Sequence, residues 1–207
     1  MMSPTVASES SSTRICGPAY TVKIVFASDT SAPTLTTHFV DTVPAGSVVV
    51  INAPHQAKNA VWGGLMTAGA QARKAVGAVV SGKCRDLSDL RGANFPVFAR
   101  SHSTLGLSPF TRASAVNVPI VIETLPGRDD ENRGSDSSSY VFPPIHIKPG
   151  DWIVGDEDGV VCVPAEMKER VVEQATKDRE VDARCLEDIK AGKGLQASFN
   201  KHRGTKN

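Results

Sequence analysis

The segment from Ser47 to Ser81 constrains the fold more than any other part of the chain. It opens with the apolar run VVVI inside Ser47–Asn52, which is typical of a buried strand. A helical apolar pattern follows over Asn59–Val76, and Gly77 leads directly into a second strand, Gly77–Ser81. This alternation of strand and helix predicts an α/β fold.

The next predicted elements continue this alternation of strands and helices, and an antiparallel segment follows them. Residues 145–164 predict three short strands separated by Pro149-Gly150 and Asp158-Gly159, as in a tight antiparallel meander. A charged helix follows from Pro164 to about Lys190. We therefore expect a mixed sheet with flanking helices. The remaining predicted strands are Gly17–Ala27, Pro96–Arg100, Thr111–Ala115 and Val118–Glu123, and the remaining predicted short helices are Thr34–Val43 and Asp86–Arg91.

A chain of 207 residues suits a single domain, which we place at residues 15–195. Residues 1–14 are rich in Ser and Thr and are expected to form a disordered tail. The polar stretch 127–140 is expected to form a surface loop inserted into the domain. Gly192 and Gly194 end the last predicted helix, so residues 196–207 are expected to form a flexible tail.

Charge, hydropathy and cysteine spacing exclude several classes of protein. Lys and Arg total 23 against 22 Asp and Glu, which gives no broad positive field for nucleic acid. No apolar run reaches the roughly 20 residues that span a bilayer. The four cysteines form no C-x-x-C pair, so we expect neither a zinc knuckle nor a disulfide framework, and we expect a cytoplasmic protein.

Gly63-Gly64 is the first candidate binding element. The pair lies near the start of the predicted Asn59–Val76 helix, where free N–H groups and the helix dipole favour an anion such as a carboxylate. Two glycines also let a ligand approach the backbone closely. The spacing alone, however, somewhat favours a purely structural role, in which these glycines let the helix pack closely on the sheet.

Arg85-Asp86 is the second candidate. The pair follows the strand Gly77–Ser81 through a short turn, which places both side chains where open α/β sheets bind ligands. Asp86 could hold a hard cation directly or through waters, and Arg85 could neutralise a developing enolate oxygen. An Arg-Asp pair that caps the following helix explains the dipeptide equally well.

Three further patterns carry less information. Residues 77–84 approach the phosphate-loop pattern, but Cys84 replaces the hydroxyl that binds magnesium, so we reject a nucleotide loop. The acidic residues at 155–159 could bind a metal, but the Asp158-Gly159 turn is the favoured explanation for them. The five histidines form no zinc-binding pair, and only His55, in the loop that leads to Gly63-Gly64, is a possible additional site residue.

Four segments taken in order resemble the family that joins 4-hydroxy-4-methyl-2-oxoglutarate aldolases with the regulator of ribonuclease activity A, the RraA-like family. Gly64 is followed by twenty residues and then Arg85-Asp86, with Asp89 after two more residues, which is the aldolase form of the family motif. The likeness covers about Gly17–Ile189. The segments are NAVWGGLMTAGAQARKAVGAVVSGKCRDLSDLR, FPVFAR, NVPIVI and PGDWIVGDEDGVVCVP.

The resemblance implies a swivelling β/β/α domain that assembles as a homotrimer or as a hexamer of two trimers, with active sites at subunit interfaces. The amides of Gly64, Leu65 and Met66 would hold the carboxylate of a small 2-oxo acid. Asp86 would be the residue that binds Mg²⁺ or Mn²⁺, and Arg85 would contact the substrate and stabilise the enolate of pyruvate.

The implied activity is that of a metal-dependent lyase that releases pyruvate, acting as an aldolase on 4-hydroxy-4-methyl-2-oxoglutarate, as an oxaloacetate decarboxylase, or as both. A non-catalytic regulator that binds a protein is the alternative, because such regulators share the fold and the Arg-Asp pair. A family member recruited to another metabolic pathway is the third possibility. The presence of Asp89 favours catalysis.

Overall fold

The computed structural model describes residues 13–123 and 143–204. The chain divides into two compact units, Met1–Pro164 and Ala165–Asn207, so the single domain expected over residues 15–195 is divided after Pro164. The first unit carries the candidate site. Residues 1–12 of the expected N-terminal tail and the whole expected loop 127–140 lie outside the described residues.

An eight-stranded mixed sheet forms the centre of the first unit. Strands β1, β2 and β4 lie side by side in parallel, and β3 and β5 are also parallel to β4. Strands β6 and β9 pair antiparallel with β1, and β10 pairs with β9. The strands of this sheet are β1 (Ile15–Phe26), β2 (Val48–Asn52), β3 (Ala60–Trp62), β4 (Gly77–Cys84), β5 (Val97–His102), β6 (Thr111–Val116), β9 (Trp152–Asp156) and β10 (Gly159–Val163).

The sheet is covered on both faces, which explains the unbroken apolar run in β2. Val49 and Ile51 contribute to one buried cluster, and Val48 and Val50 contribute to the cluster on the opposite face. Successive side chains of a strand point to opposite faces, so a strand between two cores is apolar at every position.

Two helices and a small second sheet supply these layers. Helix α1 (Gly64–Ala72) and helix α2 (Leu87–Gly92) bury Ala70 and Leu90 in the first cluster. Strands β7 (Ile120–Ile122) and β8 (Ile145–Ile147) pair with each other and pack against the second cluster. The small sheet therefore covers one face of the mixed sheet, and the two helices cover the other. This arrangement confirms the predicted α/β class with a mixed sheet and flanking helices.

Three predicted elements differ from the structure. The predicted helix Asn59–Val76 begins only at Gly64, because residues 60–62 pair with the end of β4 as β3. The predicted helix Thr34–Val43 is reduced to a 3-10 turn at Phe39–Thr42, where Phe39 and Val40 are buried. The predicted meander is a hairpin of β9 and β10 only, because β8 pairs with β7.

The second unit consists of helix α3 (Lys168–Lys190), preceded by a 3-10 turn, and helix α4 (Leu195–His202). The prediction of a flexible tail over 196–207 is therefore wrong for residues 196–202. Helix α4 is held on α3 by Asp188, which accepts hydrogen bonds from Lys193 Nζ at 2.6 Å and Lys201 Nζ at 2.9 Å and contacts His202 Nε2 at 2.9 Å. The sequence predicted a flexible tail here because the helix is stabilised by these tertiary contacts, which a local sequence pattern does not reveal.

Within residues 13–123 and 143–204, no helix combines the length and the apolar composition that crossing a membrane requires. All four cysteines carry free thiols.

Candidate active site

Asp86 lies at the turn between β4 and α2, in a left-handed backbone conformation with φ 60° and ψ 44°. Only a few residue types tolerate this region, and Asp is one of them because its short side chain can bond locally. The preceding amide, that of Arg85, still donates to the Trp62 carbonyl at 2.9 Å, which extends the pairing with β3. The chain therefore turns sharply at Asp86, beyond the carboxyl end of β4.

The Asp86 carboxylate joins the two motifs that the sequence analysis singled out. The Gly64 amide donates to Asp86 Oδ2 at 2.9 Å, and Arg85 Nη1 donates to Asp86 Oδ1 at 3.1 Å. The Asp86 side chain makes no capping hydrogen bond to α2, so its orientation is not explained by a helix cap. Gly64, Arg85 and Asp86 thus form one cluster across two parallel strands.

The double glycine is explained by the acidic side chains that lie against it. A Cβ atom at Gly63 would lie 2.6 Å from Asp86 Oδ2, and a Cβ atom at Gly64 would lie 2.9 Å from Asp89 Oδ2. Real Cβ atoms do not approach an oxygen so closely without displacing it. Glycine at both positions therefore lets Asp86 and Asp89 approach the start of α1.

The first turn of α1 has three amides that are not used within the helix. The Thr67 amide makes the first helical bond, to the Gly63 carbonyl at 3.0 Å, so the amides of Gly64, Leu65 and Met66 precede it. Of these three predicted carboxylate donors, Gly64 is engaged by Asp86. Leu65 and Met66 remain as the donors for an anion, and the Leu65 side chain is 86% exposed.

Two depressions adjoin this cluster, and Leu65 and Arg85 line both of them. We call the first the acidic cleft, which has a volume of about 550 Å³ and is lined by Gly64, Leu65, Gln71, Arg85, Asp86 and Asp89 among others. We call the second the apolar hollow, which has a volume of about 260 Å³ and is lined by Val40, Trp62, Leu65, Met66, Arg85 and Leu107 among others.

The sequence analysis missed the apolar hollow. Its residues come from four separate parts of the first unit, around positions 38–41, 60–69, 85 and 107. No spacing in the sequence connects these parts, because only the fold brings them together. His38, whose ring stacks on Phe39 with centroids 4.7 Å apart, and Asp41 are titratable residues lining the hollow that sequence reasoning overlooked.

His55 is not brought to the acidic cleft. It lines a different depression together with Lys23, Ser81 and Arg100, beyond the ends of β1, β2 and β4. The loop after β2 leads toward Gly63-Gly64 in sequence, but its His55 side chain lines the depression beside β1 instead. We therefore leave His55 out of the candidate active site.

The donor set of the acidic cleft fits a hard divalent cation. Asp86 and Asp89 both line the cleft, and Mg²⁺ commonly takes one or two carboxylates and keeps several waters. Across residues 13–123 and 143–204 there is no group of three or more His, Cys, Asp and Glu, which is the arrangement that a structural zinc ion needs. Each Asp86 oxygen accepts one hydrogen bond here and retains a second lone pair.

Cys84 adjoins the cluster but is not a candidate nucleophile. Burial raises the pKa of the Cys84 thiol, and the nearby negative charge of Asp86 raises this pKa further. The thiolate is the reactive form of cysteine, so a raised pKa keeps Cys84 inert at neutral pH. Arg85 and the two carboxylates are therefore the charged groups of the acidic cleft that remain as candidates for a chemical role.

Two carboxylates, an arginine and helix-start amides lie together at the carboxyl ends of parallel strands, which gives this α/β protein a polar cleft at the usual position of ligand sites in such sheets. Comparison with known families agrees with this description. The family described as Aldolase/RraA matches residues 2–162, and the chain belongs to this RraA-like family.

Two relatives show the range of proteins that share this sequence pattern. A provisionally named 4-hydroxy-4-methyl-2-oxoglutarate aldolase of Halalkalibacterium halodurans is 31% identical over 178 residues, which is 84% of this chain and 73% of that protein. The protein DlpA of Legionella pneumophila is 27% identical over 184 residues, which is 88% of this chain. The match covers only 27% of the Legionella protein, so most of that protein has no counterpart here.

Solved structures agree with the fold. A protein of Pseudomonas syringae superposes with a TM-score of 0.76 at 28% identity and covers 97% of this chain and 80% of its own. A Streptomyces coelicolor protein described as an unusual member of the RNase ES inhibitor RraA protein family has a TM-score of 0.66 at 19% identity, covering 88% of this chain and 78% of its own. The second likeness concerns the fold alone.

Proposed function

We propose that this protein is a divalent-metal-dependent lyase that cleaves a carbon–carbon bond of a 2-oxo acid and releases pyruvate. The observation that carries the proposal is the cluster in which Asp86 accepts from both the Gly64 amide and Arg85 Nη1. This cluster brings three groups into one cleft. They are a helix start suited to an anion, the positively charged Arg85, and the Asp86 carboxylate, which is suited to a metal ion. The relatives named as aldolases support the same reaction class.

The chain has a separate group for each part of a pyruvyl unit. The amides of Leu65 and Met66 are suited to the carboxylate, because they precede the first bond of α1 and the helix dipole favours an anion there. Asp86 and Asp89 would hold Mg²⁺ or Mn²⁺. When bound, such a cation polarises the 2-oxo group and draws electron density away from the bond that breaks.

Arg85 acts on the charge that develops during the reaction. In aldol cleavage the C4 hydroxyl gives its proton to a water molecule, the bond between C3 and C4 breaks, and C4 leaves as a carbonyl. The electron pair of that bond forms the enolate of pyruvate, and water supplies the proton that C3 then takes up. A guanidinium fixed beside the cleft stabilises the enolate oxygen more than it stabilises the neutral ketone, so it lowers the barrier.

Decarboxylation of oxaloacetate uses the same groups, because loss of CO₂ leaves the same enolate. We also infer that the protein works as a homotrimer or a hexamer, and that it is cytoplasmic, where its free cysteines would stay reduced. Both inferences rest on the family and on these thiols.

The test is pyruvate release from 4-hydroxy-4-methyl-2-oxoglutarate and from oxaloacetate, with Mg²⁺, with Mn²⁺ and with a chelator. We expect metal-dependent release that falls by at least about 100-fold in Asp86→Ala and in Arg85→Ala, because both lose a group that acts on the developing charge. Arg91→Ala, on the exposed side of α2, is the matched control and should retain activity.

Binding of Mn²⁺ by calorimetry supplies a second measurement that does not depend on turnover. Wild-type protein and Arg85→Ala should bind Mn²⁺, and Asp86→Ala should bind it much more weakly. Folded protein that releases no pyruvate from either substrate in any metal would overturn the lyase proposal and favour the non-catalytic regulator.

A further inference from the structure

Helix α3 of the second unit has a long stretch that is exposed all around the helix. Every residue from 169 to 180 is exposed, which amounts to about three helical turns without a buried face. Helix α4 covers only the other end of α3, where Cys185 and Asp188 are the buried residues. Most of the stability of a helix in a protein comes from packing one face against other elements, and this stretch lacks that support.

Interactions within the stretch do not replace such packing. Lys177 Nζ donates to Glu173 Oε1 at 2.6 Å, but an exposed pair of this kind stabilises a helix only slightly. Val171 and Val172 are β-branched, which lowers their helix propensity, and their side chains are 38% and 59% exposed. The stretch therefore calls for a partner that the described residues of the chain do not supply.

A regular stripe along α3 has the spacing of helices that pair side by side. Its positions alternate steps of three and four residues, which keeps them on one side of the helix. Four of the six side chains are apolar, and the two central ones carry opposite charges. The residues of this stripe, which we call the α3 stripe, are Val172, Ala175, Arg179, Asp182, Leu186 and Ile189.

We propose that the α3 stripe pairs with the α3 stripe of a second copy of this chain, with the two helices antiparallel. In this arrangement apolar residues face apolar residues at both ends of the contact, and opposite charges face each other in the middle. Each facing pair occurs twice, because a contact between identical surfaces has a two-fold axis. The facing pairs are Val172 with the partner's Ile189, Ala175 with the partner's Leu186, and Arg179 with the partner's Asp182.

The two central charges select this orientation. Antiparallel helices bring Arg179 to the partner's Asp182, whereas parallel helices in register would place like charges against each other at both positions. Asp182 also accepts a hydrogen bond from Arg203 Nη2 at 2.6 Å within its own chain, and a carboxylate has the capacity to accept more. Beside the stripe, the same arrangement brings Glu169 to the partner's Lys190, which is a second pair of opposite charges.

The proposed contact gives α3 a definite place in the assembly and is independent of the reaction that the protein catalyses. One pair of helices is a small interface. If the first units assemble as a trimer, three such pairs join two trimers, and the three contacts strengthen one another because they form together. We therefore expect a hexamer rather than a trimer.

The experiment reverses one central charge at a time and measures the mass by sedimentation. Arg179→Glu brings two negative charges together, and Asp182→Arg brings two positive charges together, so each variant alone should have half of the wild-type mass. An equimolar mixture of the two variants has opposite charges in both central pairs and should recover the wild-type mass. Reversal is necessary because an asparagine at position 182 would keep an oxygen that accepts from Arg179.

Arg184→Glu is the matched control, because it makes the same charge reversal at an exposed residue on the opposite face of α3. It should keep the wild-type mass. A wild-type mass of two or six chains agrees with the proposed contact, and a mass of one or three chains would overturn it. A mixture of the two variants that stays at half mass would show that α3 packs on some other surface and would also overturn it.

Hydrogen exchange of the α3 amides supplies a second measurement that does not depend on mass. The amides of residues 169–180 should exchange slowly in the wild type and in Arg184→Glu, because the partner helix stabilises this stretch. They should exchange at least about tenfold faster in Arg179→Glu. Equally fast exchange in the wild type and in Arg179→Glu would contradict the inference.

Discussion

Gly63 and Gly64 are the residues whose lack of a side chain matters most to the site. The backbone of Gly63 is extended, with φ −162°, a conformation that any residue adopts, so backbone strain does not explain this glycine. The explanation is the Asp86 carboxylate, which occupies the space where a Cβ atom would be. A substitution at Gly63 should therefore act on the acidic cleft rather than on the stability of the chain.

We predict that Gly63→Ala displaces the Asp86 carboxylate and breaks its bond with the Gly64 amide. Pyruvate release and Mn²⁺ affinity should each fall by about tenfold or more, because a small misplacement of a site residue has large kinetic effects. Gly92→Ala is the control, since a Cβ atom at Gly92 meets nothing within 4 Å. Equal activity of the two variants would show that Asp86 need not lie against Gly63.

At the scale of elements, the sequence was informative where a pattern is long and local. The run in β2, the hairpin at Asp158-Gly159 and the charged helix α3 were all predicted at nearly the observed positions. β3 was missed, because three residues before a glycine pair carry no period that distinguishes a strand from the start of a helix. Its pairing with β4 is a tertiary contact, and that contact shortens α1 to its observed start at Gly64.

The candidate site, too, could be predicted from the sequence only in part. The resemblance to the RraA-like family implied that Gly64 and Arg85-Asp86 belong to one site, and the structure joins them through Asp86. The sequence gives no means of seeing that Asp86 uses the Gly64 amide, because that depends on the side-chain rotamer after a left-handed turn. The assignment of His55 rested on closeness along the chain, which the path of the loop after β2 does not preserve in space.

Helix α4 depends on a buried charge, and this dependence predicts how acid acts on the second unit. Lys193, Lys201 and His202 hold the pKa of Asp188 well below its usual range. Because the folded pKa lies below the unfolded value of about 3.9, this charge stabilises the fold above that pH and the contribution is lost as the pH falls below it.

We predict that Asp188→Asn weakens α4 at neutral pH and removes part of the acid sensitivity. The measurement is urea unfolding followed by helical circular dichroism from pH 6 to pH 3, in which the stability difference between wild type and variant should stay constant down to about pH 5 and then shrink toward pH 3. Asp182→Asn is the control on the same helix, since Asp182 bonds to Arg203 Nη2 at 2.6 Å but both side chains are largely exposed. A constant difference between wild type and Asp188→Asn across this range would contradict the assignment.

At the scale of the whole molecule, the acidic cleft is open at Leu65. A leucine that is 86% exposed at the edge of a polar cleft is a candidate contact for a ligand or for another subunit. The expected homotrimer or hexamer, with sites at subunit interfaces, would supply such a contact.

We predict that sedimentation at micromolar concentration gives three or six times the chain mass of 21.9 kDa. Leu65→Asp, which places a charge at the edge of the cleft, should weaken assembly if a neighbouring subunit covers this position. Leu65→Met is the conservative control. A wild-type protein that sediments as a single chain would exclude a site built between subunits.

The left-handed conformation of Asp86 also bears on how a family with this fold can change its activity. Asparagine is among the few other residues that adopt this conformation readily, and its codons differ from those of aspartate by one base. A single point mutation could therefore remove the negative charge while the turn, the strand and the helix stay in place. On this view an ancestral enzyme could lose its chemistry in one step and persist as a folded protein, free to be selected for its surface instead.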